Sequence, residues 1–169
     1  NILIPTREAF LQNVDMILND NPEEFLNNLF SKGVNIQAFL VPKDDILFRE
    51  SLIKFFSSKN NISNLDVHTY EGEVLKIDEA REIHTLAHKT AFRGSKIFLL
   101  KNNFIAPEAQ ALLLKTLEEP PPETYFILSP DSHSGLSIPL LSRLTILQKA
   151  PEVGGEWQLA KKIFSYGLK

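Results

Sequence analysis

A leucine-rich stretch that runs into three prolines places the strongest constraint on the fold. The segment ALLLKTLEEPPPETYFIL spans Ala111 to Leu128. Pro120 disfavours helical geometry in the residue before it, and each proline lacks a backbone donor, so we predict that the helix through the leucines ends at Glu119. The three prolines form a stiff, extended connector. The apolar run that follows them predicts a buried strand over Thr124–Ser129.

The rest of the chain alternates between strand and helix patterns in the same way. Further strands are predicted at Ile36–Val41, Asp66–Glu71, Lys96–Lys101 and Leu144–Gln148. Alternation of apolar strands with helices predicts a parallel sheet that is covered on both faces. The predicted α/β core covers residues 36–150, with a helical segment over residues 1–35 and a C-terminal helix, the possible start of a lid domain, over residues 151–169.

Helix signals fill the intervals between these strands. Helical spacing and capping residues predict a helix from Thr6 that carries Phe10, Val14, Ile17 and Leu18; a helix from Glu23 that stops at Gly33; a helix capped by Asp44 or Asp45; and a helix capped by Asp78 that runs to about Ala91. Pro107 fits the first turn of the helix that ends at Glu119.

Composition limits the class of protein. The 169 residues are 43% hydrophobic, which predicts one domain with a proper core, and the net charge of -3 gives no global indication of nucleic-acid binding. There is no cysteine, which excludes disulfides, thiol catalysis and cysteine-ligated zinc and fits a reducing cytoplasm. No apolar run approaches the ~18–20 residues that span a membrane. We therefore expect a cytoplasmic protein without a membrane partner, and the missing initiator methionine fits a piece of a longer chain.

Two acids close the proline-terminated helix, and they are in an unfavourable place. Negative charge at a helix C-terminus interacts unfavourably with the helix dipole, at a cost of about 0.3 kcal/mol or more. We therefore expect a group outside the helix to interact with Glu118 or Glu119.

Four stretches together resemble a known family. They are EAQALLLKTLEEPPPETYFIL, KIDEAREI from Lys76, GSKIFLL before Lys101, and PLLSRLTIL from Pro139. They resemble the AAA+ module of clamp-loader subunits, the delta-prime and gamma/tau subunits of bacterial DNA polymerase III. The resemblance covers about Asp66 to Leu147. It implies a P-loop-like, three-layer fold with a five-stranded parallel sheet in the order 5-1-4-3-2, flanked by helices. It also implies partners: gamma/tau-like ATPase and delta subunits and, through the complex, the sliding clamp and primer-template DNA.

The chain departs from this family where a nucleotide would bind. Working members carry GxxxxGK[ST] after the first strand, whose amides, lysine and hydroxyl hold phosphate and magnesium. Here LVPKDDILFRES has no glycine, and Asp44 and Asp45 would repel a triphosphate. At the position of the metal-orienting acids the chain has Lys101 to Phe104. We therefore expect no bound nucleotide, metal or cofactor, and a pseudo-ATPase. A residual phosphate site at Lys43 and Lys101 is disfavoured, since surface lysines are usually solvated.

The family's SRC motif is retained in part. Ser142 and Arg143 match its first two residues, and Leu144 replaces the cysteine. In the family this arginine is a finger that stabilises the ATP of a neighbouring subunit during hydrolysis. The resemblance therefore assigns a trans arginine finger to Ser142-Arg143 and a subunit interface to Lys115, Glu118 and Glu119. The alternative is that Arg143 only pairs with an acid such as Glu118.

Two weaker signals lie on or near the helix that Asp78 is predicted to cap. Arg81, Lys89 and Arg93 make its surroundings basic, and the resemblance implies that such a helix faces DNA phosphates. An ordinary solvated face explains the same residues. His84 and His88 are one helical turn apart but lack a third ligand nearby in sequence, so we interpret them as surface histidines.

The leading hypothesis is a non-catalytic, delta-prime-type clamp-loader subunit of a replication complex. About twenty residues follow the last strand, too few for the helical collar that the resemblance implies, so the chain is either a subunit that pairs by another surface or the core of a longer one. One alternative is a divergent AAA+ ATPase. Another is an accessory interaction protein that acts outside clamp loading.

Overall fold

The structure is a computed structural model that describes residues 15–18, 22–33, 35–60, 66–92 and 94–149. Within these residues six strands form one sheet: β1 (Asp15–Leu18), β2 (Ala38–Leu40), β3 (Val67–Leu75), β4 (Lys96–Ile105), β5 (Thr124–Leu128) and β6 (Thr145–Lys149). The helices of the same residues are α1 (Pro22–Ser31), α2 (Ile46–Asn60), α3 (Ile77–His88), α4 (Pro107–Glu118) and a single turn, α5 (Ile138–Leu141). A 3₁₀ turn, His133–Gly135, precedes α5.

The sheet has the predicted topology. Its strand order is β1-β6-β2-β5-β4-β3, and every pair is parallel. Without β1, and with the remaining strands renumbered from the chain start, this order is 5-1-4-3-2, so the predicted fold is confirmed. Because parallel strands point the same way, their C-terminal ends meet at one edge of the sheet, here called the carboxyl edge, and their N-terminal ends meet at the amino edge.

The helix predicted from Thr6 is wrong at its C-terminal end. Residues Asp15–Leu18 form β1, which pairs in parallel with β6 from Asp15 opposite Ile146 to Leu18 opposite Lys149. A short apolar run fits a helix and a strand equally well, and here the otherwise open side of β6 provides a strand partner. The start of that predicted helix and all of residues 151–169 lie outside the described residues.

The inner strands β2, β4 and β5 are buried on both faces, whereas the outer strand β3 is largely exposed. Along β4, Phe98 and Leu100 belong to an apolar cluster that includes α3, α4 and α5, whereas Ile97 and Leu99 belong to a second cluster that includes α2. The second cluster is rich in aromatic rings, and Phe56 stacks on Tyr125 with 4.1 Å between ring centroids. Burial on both faces explains why the strand sequences are continuous apolar runs rather than alternating ones.

The helix ends follow the predicted signals with two exceptions. Asp45 caps α2, because its Oδ1 accepts the Phe48 backbone N–H at 3.3 Å. Asp78 does not cap α3; Lys76 is the cap residue, and the Glu79 carboxylate accepts the Lys76 backbone N–H at 2.8 Å. This helix also ends at His88, before the predicted Ala91.

The proline stop behaves as predicted. Helix α4 ends at Glu118, and Glu119 follows with non-helical angles before the prolines.

Among the described helices, none combines the length and the apolar character that a membrane crossing requires.

Candidate functional site

The loop between β2 and α2 lies at the carboxyl edge, where a phosphate-binding loop would lie in a P-loop fold. It is a tight turn in which the Asp45 N–H donates to the Pro42 carbonyl at 3.1 Å. The Asp45 side chain is buried and accepts a backbone N–H from the first turn of α2. The Asp45 carboxylate therefore accepts a backbone N–H of the kind that a phosphate-binding loop would donate to its ligand.

Lys43, in the same turn, is paired within the chain. Its Nζ lies 2.6 Å from Oδ1 of Asp131, which follows β5, and it also donates to Oδ1 of Asn103 near the end of β4. The Asp131 N–H donates to the Asn103 carbonyl at 3.0 Å. These contacts join the C-terminal ends of β2, β4 and β5 and neutralise the lysine. We call Lys43, Asn103 and Asp131 the edge cluster.

Lys101 is paired in the same manner. Its Nζ lies 2.9 Å from Oε2 of Glu71 on the adjacent strand β3. The hydrogen bond and the positive charge of Lys101 lower the pKa of the Glu71 carboxyl below its ordinary value. Both lysines that were considered for a residual phosphate site therefore have a carboxylate partner. Next to Lys101, Asn102 is only 2% exposed and points into the protein.

Ser142 and Arg143 lie at the other edge of the sheet. They stand between α5 and the start of β6, so they belong to the amino edge. Ser137 caps α5, and its Oγ accepts the Leu140 N–H at 3.4 Å. Pro139 is accommodated in the first turn of α5. We call residues 137–143 the finger segment.

Hydrogen bonds define the end of the finger segment. The Ser142 Oγ donates to the Pro139 carbonyl at 2.7 Å, and the Arg143 N–H donates to the Leu140 carbonyl at 3.0 Å. The Arg143 backbone is therefore fixed. Its side chain is less constrained: Nη2 lies 3.7 Å from Oε1 of Glu118, and the side chain is 33% exposed.

The pairing of Arg143 with Glu118 explains the acid at the end of α4. The positive guanidinium offsets the unfavourable carboxylate at that helix end. The distance is near the limit for an ion pair, so the contact is a loose one. The structure thus contains the alternative interaction that the sequence suggested, in a form that leaves the guanidinium accessible.

The other residues assigned to a subunit interface are also exposed. Glu119 follows α4, and Lys115 is one turn before its end. Lys115 is close enough to α3 to contribute to a lowered pKa of His84, after burial and the charge of His88. The three assigned residues therefore share one end of α4, and their role stays a prediction.

The residues predicted to face DNA do not form a uniformly basic surface. Arg81 pairs with Asp78 at 2.7 Å, Lys89 is exposed just after α3, and Arg93 lies outside the described residues. Between positions 76 and 89 three basic and three acidic side chains balance each other. Their contact with DNA stays a prediction.

The two histidines of α3 are used in local contacts. Nδ1 of His84 lies 2.8 Å from Oγ1 of Thr116, and Nδ1 of His88 lies 2.8 Å from the His84 carbonyl. Since Thr116 donates its hydroxyl to Leu112, its oxygen accepts the N–H of His84. Within the described part of the chain, no group of three or more histidines or acids is arranged to hold a metal ion.

Two buried polar residues escaped the sequence analysis. Lys96 is 5% exposed, and its Nζ donates to the carbonyls of Leu86, Ala87 and Lys89 at the end of α3. Gln110 is 6% exposed and contacts the finger segment. For Gln110 a signal exists in the sequence, because it lies on the apolar face of α4 at helical spacing from Leu113 and Leu117.

A family comparison identifies the protein class. The sequence model of the family described as "DNA polymerase III, delta subunit" matches residues 52–152. The chain belongs to this family. The match includes Arg143 and every strand from β3 to β6, so the predicted clamp-loader AAA+ membership is confirmed.

Individual relatives agree with the family. The chain is 27% identical over 160 residues to "DNA polymerase III subunit delta'" of Haemophilus influenzae, with 78% of this chain and 49% of that protein covered. It thus spans about half the length of this curated relative.

Two solved structures share the fold. One is a DNA polymerase III gamma subunit-related protein of Thermotoga maritima, with a TM-score of 0.60, 22% identity, and coverage of 84% of this chain and 50% of that one. The other is the RuvB Holliday junction branch migration motor of Thermotoga maritima, with a TM-score of 0.52, 16% identity, and coverage of 83% and 49%. At these identities the likeness concerns the fold.

Proposed function

We propose that this chain is the AAA+-like part of a delta-prime-type clamp-loader subunit that hydrolyses no ATP itself and supplies Arg143 to ATP bound by a neighbouring subunit. The observation that carries the proposal is the placement of Arg143 at the amino edge, half-exposed and only loosely paired with Glu118. A guanidinium in that state can turn to an external phosphate at little cost, because an exposed ion pair contributes about 0–1 kcal/mol.

The carboxyl edge supports the pseudo-ATPase part of the proposal. ATP would have to displace Lys43 from Asp131, and the carboxylates of Asp44 and Asp131 at this edge would then repel the triphosphate. Phosphate sites in P-loop folds instead present glycine amides and an unpaired lysine. The family membership and the delta-prime relative support the clamp-loader part.

The proposed partners follow from the same placement. A gamma/tau-like ATPase subunit would contact the end of α4, where Lys115, Glu118 and Glu119 lie and where Glu118 contacts Arg143. A delta subunit, the sliding clamp and primer-template DNA would be met through the complex, with Arg81, Lys89 and Arg93 as the DNA-facing candidates. The proposed role is therefore one in DNA replication, in the cytoplasm.

The test is the substitution Arg143→Ala in the full-length protein, assembled with its ATPase partner subunits. We expect the DNA- and clamp-stimulated ATPase rate of the complex to fall by about 10³-fold or more, since arginine fingers contribute about 10³–10⁵ in rate. Arg49→Ala is the matched control: Arg49 is a half-buried arginine at the opposite edge, where it donates to the Lys43 carbonyl. An unchanged rate with Arg143→Ala in an intact complex would show that Arg143 is structural.

The competing function, a divergent ATPase, has its own test. A ligand at a hundredfold excess over its Kd stabilises a protein by about 2.7 kcal/mol. A thermal shift of the isolated protein with magnesium-ATP would therefore contradict the pseudo-ATPase proposal. We expect no shift, and no shift with magnesium-ADP.

A further inference from the structure

Gln110 is a buried side chain with three hydrogen bonds, all to backbone groups. Its Nε2 donates to the Ile105 carbonyl at 2.8 Å and to the Gly135 carbonyl at 2.7 Å, and its Oε1 accepts the Ser137 N–H at 2.7 Å. Both donor hydrogens and one acceptor site of the amide are thus used. One side chain joins the end of β4, the 3₁₀ turn and the first residue of the finger segment.

The finger segment runs alongside α4. Gln110, in the first turn of α4, holds the start of the segment, whereas Glu118, the last residue of α4, contacts Arg143 at its end. These two positions are separated by eight residues, or about 12 Å along a helix. The segment therefore contacts α4 near the carboxyl edge through Gln110 and near the amino edge through Arg143.

Apolar packing holds the segment against α4 without fixing its position along the helix. Leu140 is buried within the segment, and Leu136 and Leu144 are buried on either side of it, in the cluster that contains Leu113 and Leu117. Apolar contact is not directional, so these leucines tolerate a small shift along the helix. Hydrogen bonds require defined distances and angles, and Gln110 provides them where the segment begins.

We propose that Gln110 is a positioning residue that sets the location of Arg143 through the start of the finger segment; this inference rests on the proposed function of Arg143. Gln110 lies far along α4 from Arg143 and does not touch the partner's ATP. It acts by fixing Ser137, which caps α5, and hence the short helix that leads into Ser142 and Arg143. Such an effect lowers the rate of the catalytic step because a small misplacement of a catalytic group costs up to about 10²-fold.

The substitution Gln110→Met tests the proposal, because methionine has a similar length and volume but makes none of the three bonds. We expect the kcat of the partner ATPase to fall by at least about fivefold in the assembled complex. The KM for ATP and the concentration of this protein that half-saturates the complex should not change. The backbone amides of Ser137, Ile138, Leu140 and Leu141 should exchange their hydrogens faster than in the unmodified protein, which reports the loosened segment directly.

Gln37→Met is the matched control. Its Nε2 also donates to two carbonyls, those of Pro121 at 2.6 Å and Thr124 at 3.0 Å, but it joins β2 to the entry of β5 and has no bond to the finger segment. A general loss of rigidity would lower kcat in both variants. We expect it to fall only with Gln110→Met. If Gln110→Met does not fold, Gln110→Asn serves instead, because it keeps a neutral amide in the buried site but is one methylene too short to make all three bonds.

The double variant Gln110→Met with Arg143→Ala separates the possible outcomes. If Gln110 acts through Arg143, the double variant has the rate of Arg143→Ala alone, within about twofold. Additive losses, or an unchanged kcat with Gln110→Met while Arg143→Ala remains defective, would overturn the inference and leave the proposed function intact. Arg143→Ala without any effect would overturn the proposed function and this inference together.

Discussion

Lys43 and Arg143 lie at opposite edges of one sheet and hold their positive charge in different ways. The Nζ of Lys43 is 2.6 Å from a carboxylate and also donates to Asn103, which ties it to two neighbouring strands. The guanidinium of Arg143 has one carboxylate at 3.7 Å. Both side chains are partly exposed, so burial does not explain the difference.

The charge of Lys43 is therefore neutralised within the chain, whereas the charge of Arg143 remains accessible to a partner. In a parallel sheet, the loops after β2, β4 and β5 converge at the carboxyl edge, and here they close on one another through the edge cluster. The segment before β6 ends at the opposite edge, where the Arg143 backbone is fixed and its side chain has only the loose pair with Glu118. This arrangement supports the proposal that the domain completes a neighbour's site rather than one of its own.

The largest expected effect concerns the shape of the Arg143 charge. Arg143→Lys keeps the positive charge but loses the planar fork of donors that matches phosphate oxygens. We expect the partner ATPase to stay at least about tenfold below the unmodified complex, with assembly unchanged. The measurement is steady-state ATPase with DNA and clamp present. A full rescue by lysine would show that only charge matters at this position.

The second effect is on stability and concerns Lys96, a third positively charged side chain, which is buried in the protein. Lys96→Met would remove the side-chain donor from three carbonyls at the end of α3, of which only the Leu86 carbonyl keeps another donor, the Lys89 N–H. We expect the free energy of unfolding to fall by about 1–3 kcal/mol, which lowers Tm by about 2–4 °C per kcal/mol in a domain of this size. Thermal unfolding measures it, with the exposed Lys54→Met as the control. Equal losses in the two variants would contradict the role of Lys96.

The third effect tests the edge cluster. Lys43→Met removes an exposed ion pair, so the free energy of unfolding should fall by no more than about 1 kcal/mol. The partner ATPase should not change, which is the reverse of the pattern for Arg143→Ala. In a cycle with Asp131→Asn the coupling energy should be about 0.2–1 kcal/mol. A loss of partner ATPase with Lys43→Met would remove the distinction between the two edges.

The sequence predicted the elements that depend on local chemistry. The three prolines end α4 where expected, the continuous apolar runs identify β2, β4, β5 and β6, and an alternating pattern identifies β3. The strand order came from the family resemblance, and the structure confirms it. Glu118 was expected to meet a group outside its helix, and that group is Arg143.

Features that depend on long-range pairing were missed or remained open. Residues 15–18 form a strand because β6 has an unpaired side, which no local pattern reveals. Lys96 gave no sign in the sequence that it would cap α3. The pairing of Lys43 with Asp131 could have been inferred, because the predicted order makes β2 and β5 neighbours and both residues follow those strands.

The smallest expected effect concerns His84, whose side chain becomes positively charged only at acid pH. Burial lowers the pKa of His84 below its ordinary value of 6.5, and the nearby positive charges of His88 and Lys115 lower it further. The folded protein therefore binds fewer protons at this site than the unfolded chain does. The free energy of unfolding should be insensitive to this group above about pH 6.5 and should decrease as the pH falls through the lowered pKa.

His84→Gln tests this expectation, because glutamine can still donate to Thr116 but does not titrate. The hydrogen bond itself should survive protonation, since the His84 N–H is the donor in both charge states. Urea unfolding between about pH 7.5 and about pH 5 should show a shallower decrease in the variant than in the unmodified protein. A remaining decrease is expected from His68, whose pKa burial also lowers, and Glu71 contributes only at lower pH, because its carboxyl titrates below 4.5. Identical pH profiles would mean that protonation of His84 does not lower the free energy of unfolding. A positive charge beside α4 would then need no carboxylate partner, whereas Lys43 and Arg143 each have one.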